Sequence, residues 1–263
     1  MNRIPFFHVL SPLTLLLGLT FIIACRNSTD PVSPTTNTTA GTTATVGAGV
    51  PDVYRKLYGV SEIYLEGTNV VIKAKGLPDH KSPYYKGTSW ESTLYVNDTR
   101  SGFSANPHRI AGQNYTFKIP LNPQEDAAHA ETPLGPIGIS LNGVPFFNQY
   151  AAGRAPLTME IYGFDLYGGH PAPMNNYHYH VEPAYLTEKK GQEALLGFLL
   201  DGFPVYGPVE NGKLVTNKDL DKYHGHMGKT ADYPNGIYHY HVTAEDPYIN
   251  GSGFYGKAGT LSQ

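Results

Sequence analysis

The sequence predicts an all-β fold, mainly antiparallel, with two pseudo-repeated β-units in one domain and few short helices. Three observations carry that expectation. Glycine and proline, 29 and 21 residues, punctuate the chain at short intervals. Between them lie short runs of β-branched and aromatic residues, the pattern of strands bounded by turns. In the C-terminal half, three sequence blocks recur in the same order, as two copies of one supersecondary unit would.

The chain opens with a segment that is set apart from the fold. Residues 1–24 hold one firm cation, Arg3, and Leu10 to Ala24 is almost wholly apolar. That run is short for a membrane-spanning helix, which needs roughly 20 apolar residues, and it suits a secretory signal. It closes on Ile22-Ile23-Ala24-Cys25, which resembles a lipobox. The expectation is a signal peptide over 1–24 and a mature chain that begins at a lipidated Cys25, held in a membrane by several acyl chains. Cys25 is the only cysteine, so no disulfide and no thiolate metal site is expected. Residues 25–51 are rich in Thr, Pro and Gly and nearly free of large apolar residues. They bury too little to fold and are expected to form a tether of ~25–30 Å. Arg26 follows the cysteine, which points to the outer membrane rather than the inner.

The globular part is expected from Asp52, with an N-terminal β part over 52–133 and the duplicated region over 134–263. Glu62–Leu65 and Val70–Ala74 read as two strands around the turn Glu66-Gly67-Thr68-Asn69. Further strands are expected at Ser92–Val96, Tyr115–Ile119, Ile137–Leu141 and Met159–Tyr162. One short helix is expected within Pro183–Leu196, with Thr187 as its cap.

The duplication is read block by block. Asn142-Gly143-Val144-Pro145-Phe146-Phe147 matches Asp201-Gly202-Phe203-Pro204-Val205-Tyr206. Phe164-Asp165-Leu166-Tyr167-Gly168-Gly169-His170 matches Leu220-Asp221-Lys222-Tyr223-His224-Gly225-His226, and Tyr177-His178-Tyr179-His180-Val181 matches Tyr238-His239-Tyr240-His241-Val242. The second copy is five residues longer between its Gly-His and its Tyr-His-Tyr-His. In the first block Asn-Gly and Asp-Gly favour tight turns, because glycine accepts positive φ. The proline two residues on would then sit at a sheet edge, and Asp201 would serve the turn rather than act as a ligand or base.

Seven of the eleven histidines fall between His170 and His241. In a strand, His-Tyr-His puts both imidazoles on one face, with Cα atoms ~6.6–7 Å apart, close enough to share a metal at ~2.1 Å from each nitrogen. The tyrosines Tyr177, Tyr179, Tyr238 and Tyr240 face the other way, into the core, where each hydroxyl needs a partner. His178, His180, His239 and His241 are the expected ligands, with His170 and His226 at or beside the same cluster. One shared site and two separate three-histidine sites both satisfy the sequence; the shared site is the expectation. Asp165, Asp221, His224 and Met227 are candidates for supporting the ligands, and Glu182 for orienting a ring or acting as a base. All-imidazole ligation suits copper, zinc, nickel or iron; copper or zinc is expected, and a thioether from Met174 or Met227 would tilt the site towards copper. Affinity should fall as pH drops through about 6.5, the pKa of free histidine. His80, His108 and His129 carry no assigned function.

With Leu200-Asp201-Gly202-Phe203-Pro204-Val205-Tyr206-Gly207-Pro208 and the Gly-His block, the two Tyr-His-Tyr-His segments resemble the YHYH domain family of bacterial exported proteins. The resemblance covers roughly Leu134 to Gly256. It implies that the positions of Tyr223 and of a residue near Gly253 are cysteines in many relatives; this chain has neither. It strengthens the domain assignment and says little about a substrate.

The net charge is −3 over the whole chain, −4 once Arg3 leaves with the signal. No block of Lys or Arg appears, which argues against nucleic-acid binding and against a basic membrane patch. The expected function is therefore metal handling by an envelope lipoprotein. Two alternatives are a metal-dependent enzyme with an open three-histidine site, and a non-metal carbohydrate- or peptide-binding module. The 20 tyrosines and 11 phenylalanines would serve the module, and the single tryptophan, Trp90, counts against it. An open coordination position beside a pocket would favour the enzyme, and a closed shell storage or structure. No nucleophile elbow, phosphate loop or zinc-protease helix is present.

Overall fold

A computed structural model describes residues 44–92, 102–251 and 253–263. The signal segment, Cys25, most of the tether and nearly all of the strand expected at Ser92–Val96 lie outside the described residues. No helix among those described is long and apolar enough to cross a membrane.

Strands begin earlier than composition suggests. Thr45–Val46 (β1), inside the expected tether, pairs in parallel with β2, Val60–Glu66, and Val50 is buried. The turn at Gly67 returns the chain as β3, Asn69–Ala74, and β3 pairs antiparallel with β4, Tyr115–Pro120. In β4, Tyr115, Phe117 and Ile119 point inward while Thr116, Lys118 and Pro120 are half-buried, the alternation of a strand with one wet face.

The duplicated region supplies Pro136–Ser140 (β5), Pro145–Phe147 (β6), Gly169–Pro171 (β7) and Tyr177–Tyr179 (β8). After a helix, Ala184–Lys190 (α1), come Leu195–Leu199 (β9), Pro204–Tyr206 (β10), and the small hairpin Val209–Glu210 (β11) and Lys213–Leu214 (β12). Gly225–Gly228 (β13), Ile237–His241 (β14) and Thr260–Ser262 (β15) follow. β15 pairs with β4, so the end of the described chain completes the N-terminal sheet, in the order β1-β2-β3-β4-β15.

The other strands, β11 and β12 apart, form one eight-stranded sheet in the order β13-β14-β10-β9-β5-β6-β8-β7. Read outward from its centre, each half repeats the other: β5-β6-β8-β7 on one side, β9-β10-β14-β13 on the other. The copies therefore join antiparallel through β5 and β9, about a pseudo-dyad. Glycine makes that junction possible. A Cβ on Gly138 would lie 2.4 Å from the Phe198 carbonyl oxygen, and one on Gly197 2.2 Å from that of Ile139. Residues of both large sheets share one buried apolar cluster, in which Tyr54 packs on Phe198 at 4.5 Å between ring centroids.

Three local expectations change. Met159–Tyr162 is not a strand: Glu160–Gly163 forms a 3-10 turn. The helix ends at Lys190 before Gly191, which takes φ 101, and the following Leu195–Leu199 is a wholly buried strand. Thr187 lies inside that helix, not at its cap, and its hydroxyl donates to Glu182 and to the Ala184 carbonyl. Pro145 and Pro204 begin strands in the interior of the sheet rather than at its edge. The first position of a strand tolerates a missing donor.

Candidate metal centres

The Tyr-His-Tyr-His segments form β8 and β14, each flanked on its outer side by the Gly-His strand of its own copy. His170 stands opposite His178, and His226 opposite His239. Strand alternation then brings His180 and His241 onto the same faces. Two clusters result: Glu160, His170, His178 and His180; and Glu210, His226, His239 and His241. In each, one donor atom per residue falls within 4.8 Å of all the others. The expected single shared site is not formed. Four strands stand between β8 and β14, which at ~4.8 Å per strand interval separates them by ~24 Å. The histidines fall instead into two separate groups of three, as the alternative reading would have them, each with a carboxylate beside it.

Glycine explains why histidine follows it on the outer strand. A Cβ on Gly169 would lie 2.5 Å from the Tyr177 ring, and one on Gly225 2.6 Å from the Tyr238 ring. On the far face the tyrosines are buried as expected. Tyr177 donates to Asp165, Tyr238 to Asp221 and Tyr240 to Asp201, while Tyr179 accepts from the Asn142 amide. Asp165 and Asp221 therefore hold tyrosines and the backbone of the Gly-His turn, not the histidines. Asp201 serves its turn through Phe203 N and is raised to about 6, because burial outweighs its hydrogen bonds.

In the first cluster His178 Nδ1 faces the Asn176 carbonyl at 3.1 Å and His180 Nδ1 the Asn148 carbonyl at 2.6 Å. A carbonyl only accepts, so both Nδ1 atoms carry the proton and, in the neutral ring, both Nε2 atoms are bare acceptors. Those two Nε2 atoms nevertheless lie 2.9 Å apart. His170 Nε2 is 3.0 Å from Glu160 Oε1, yet it is buried and lacks a hydrogen bond of proper direction. Its Nδ1 faces the Asn106 amide at 3.3 Å, a long contact that does not fix the tautomer.

The second cluster repeats the pattern. His239 Nδ1 faces the Ile237 carbonyl at 3.0 Å and His241 Nδ1 the Gly207 carbonyl at 2.8 Å. His239 Nε2 lies 3.1 Å from His226 Nε2 and 3.3 Å from Glu210 Oε1, and His241 Nε2 is buried without a hydrogen bond.

Burial favours the neutral form of His178, His180, His239 and His241. It pushes His178 well below the usual histidine range, helped by the neighbouring His170 and His180, and it lowers His180 and His241 to about 4. His239 is lowered too. Burial would raise Glu160, yet its carboxyl lies below the usual range because the hydrogen-bonding contact with His170 and the nearness of the His170 and His180 imidazoles outweigh burial. Proton competition at His180 and His241 therefore begins nearer pH 4 than the 6.5 expected of free histidine.

The donor sets fit a divalent transition ion. Four donors at ~2.1 Å in a tetrahedron stand ~3.4 Å apart; contacts of 2.9, 3.0 and 3.9 Å in the first cluster and of 3.1, 3.3 and 3.5 Å among His226, His239 and Glu210 in the second lie around that value, and all donors of a cluster fall within 4.8 Å. In the first cluster the His178 and His180 lone pairs face one another with no proton between them, an arrangement that a cation at their focus would stabilise.

Other expected supporting residues stand apart. His224 takes φ 77 in the turn where the first copy has Gly168, and its ring contacts the Thr243 hydroxyl at 3.0 Å. Met227, between His226 and Gly228 in β13, points away from the histidine face and is exposed, as is Met174. Glu182 meets Thr187. The sequence reasoning missed Glu160 and Glu210. Both lie in the connector between the first and second blocks, and in the first copy Glu160 is the only carboxylate there.

A family model described as YHYH protein matches residues 116–218 and 209–253. The match reaches back to Thr116 in β4, ahead of the duplicated blocks. No curated protein and no solved structure matches the chain.

Proposed function

The chain belongs to the YHYH protein family, and from that premise we propose that it is a lipid-anchored envelope protein that binds one divalent transition ion, zinc in preference to copper, at each histidine cluster. The observation that carries this reading is the close pair of bare Nε2 atoms on His178 and His180, whose Nδ1 atoms are both committed to carbonyls, together with the same commitment of His239 and His241 Nδ1 in the second cluster. Three imidazoles and a carboxylate without sulfur suit zinc. The backbone carbonyls would orient the ligand rings, as outer-shell partners do in metal sites. Anchoring rests on Ile22-Ile23-Ala24-Cys25 and would leave the domain on its tether as a metal-handling module.

Metal analysis of protein extracted by detergent from the host membrane fraction tests the reading. Two equivalents of one ion per chain are expected, one in His178→Ala or His239→Ala, and none in the double variant. Cys25→Ala should leave the membrane fraction with its metal content intact. A wild-type chain without stoichiometric metal, or single variants that each lose both ions, would refute two independent sites.

A further inference from the structure

The two clusters differ in what lies over them. The first forms part of the wall of a cleft of about 620 Å³, which His170, His178, His180 and Glu160 line together with Phe147 and Tyr150. That volume is in the range of small-molecule sites. Leu134, Met159 and Tyr162 stand on the lining and are 50%, 78% and 42% exposed, an unusual concentration of apolar surface at one opening. Among the described residues no Lys or Arg lines the cleft. The second cluster instead meets solvent at the sheet edge: the His226 side chain is 27% exposed, whereas His170, its counterpart, is 5% exposed.

We propose that the first cluster is a ligand-binding site, in which the metal expands beyond its four protein donors to take one nitrogen or oxygen donor from a small organic molecule whose uncharged, apolar or aromatic body fills the cleft. The second cluster, whose His226 opens to solvent at the sheet edge, binds metal alone. The chemistry follows from the lining. Away from the metal an anionic body would meet no lysine or arginine among the described residues, while a flat apolar body would meet Phe147, Tyr150 and Tyr162 and remove exposed hydrocarbon from water. The metal provides the polar anchor that such pockets carry in small number. The inference rests on metal occupancy of the first cluster.

The test uses protein loaded with cobalt(II), with metal content measured on the same sample. 4-Phenylimidazole, a neutral donor with an aromatic body, is titrated by calorimetry and by the cobalt visible spectrum, against imidazole as the bodiless control. The expected result is one equivalent of 4-phenylimidazole per chain carrying two cobalt ions, bound at least about tenfold more tightly than imidazole. Binding should vanish in metal-free protein and in Glu160→Ala if that variant loses the first ion. Ala152→Trp places bulk on an exposed lining residue that donates nothing to the cluster. It should keep both ions and lose the tenfold preference. Two equivalents, equal affinities, binding without metal, or an Ala152→Trp variant that retains the preference would each overturn the proposal. Failure to load two cobalt ions would instead overturn the metal reading beneath it.

Discussion

Each Tyr-His-Tyr-His segment divides its side chains between two environments that make opposite demands on protons. The tyrosines lie in the core and need hydrogen-bond partners for neutral hydroxyls, which Asp165, Asn142, Asp221 and Asp201 meet. The histidines lie in clusters and must stay unprotonated to keep lone pairs available. Burial enforces this, and the enforcement has a consequence for the metal-free protein. His180 and His241 have folded pKa values of about 4 against about 6.5 unfolded, so the unfolded chain binds more protons between those values. Their contribution to stability is complete above about pH 6.5 and is lost as pH falls through 4, on the order of 3 kcal/mol for each ring. His80, His178 and His239 shift in the same direction. Asp201 opposes them, because its raised pKa stabilises the fold as pH drops below about 6. One carboxyl does not offset this set of imidazoles. The denaturation midpoint of chelator-treated protein should therefore fall steeply between pH 6.5 and 4, and less steeply in His180→Gln or His241→Gln. A midpoint that is flat over that window would mean the rings are solvated.

The repeated unit is a hairpin in which Gly-His on the outer strand faces Tyr-His on the inner. Gly169 and Gly225 are required by the tyrosine that crosses beneath them rather than by backbone conformation, since neither has a positive φ. Gly169→Ala and Gly225→Ala should each cost about 1–3 kcal/mol through overpacking. Each should weaken metal binding in its own cluster only, because the tyrosine must move against the strand that carries the ligands. Gly112→Ala is the control: a Cβ there meets Leu77 at an ordinary 3.6 Å, and stability should change by less than about 0.5 kcal/mol. Denaturant titration with metal stoichiometry on the three variants decides the matter, and equal effects at Gly112 and Gly225 would remove the argument. This pairing of histidines was legible in the sequence because alternation is a local property: His178 and His180 share a face wherever their strand goes. The position of β8 relative to β14 was not, since strand order depends on partners remote in sequence. For the same reason Glu160 stayed hidden. It reaches the cluster from a 3-10 turn, where the run Met159–Tyr162 had looked like one more strand. Leu195 and Leu196 extended the apparent helix because a fully buried strand has no alternation to distinguish it from an apolar helix.

At the scale of the molecule the duplication produced one sheet instead of two modules, and the sites sit near its opposite ends while their supporting cores merge. β5 and β9 pair along the pseudo-dyad, β15 ties the end of the chain to β4, and the apolar cluster runs through both sheets. Neither copy can open without exposing surface that the other covers, so an ion bound at either end stabilises the whole described domain. For an ion that ignores the unfolded chain, each site adds RT ln(1 + [L]/Kd), about 2.7 kcal/mol at a free concentration one hundred times Kd. Two sites in one cooperative unit should add about twice that. Unfolding by denaturant, followed by tryptophan fluorescence and circular dichroism, should accordingly show a single transition both with and without metal. Chelation should lower its midpoint, and His178→Ala or His239→Ala should each retain about half of the metal-dependent increment. The outcome that would break this account is a biphasic transition in which one phase responds to metal at the first cluster and the other to metal at the second. That would mean the copies unfold separately and the β5–β9 seam is weaker than its close packing at Gly138 and Gly197 implies.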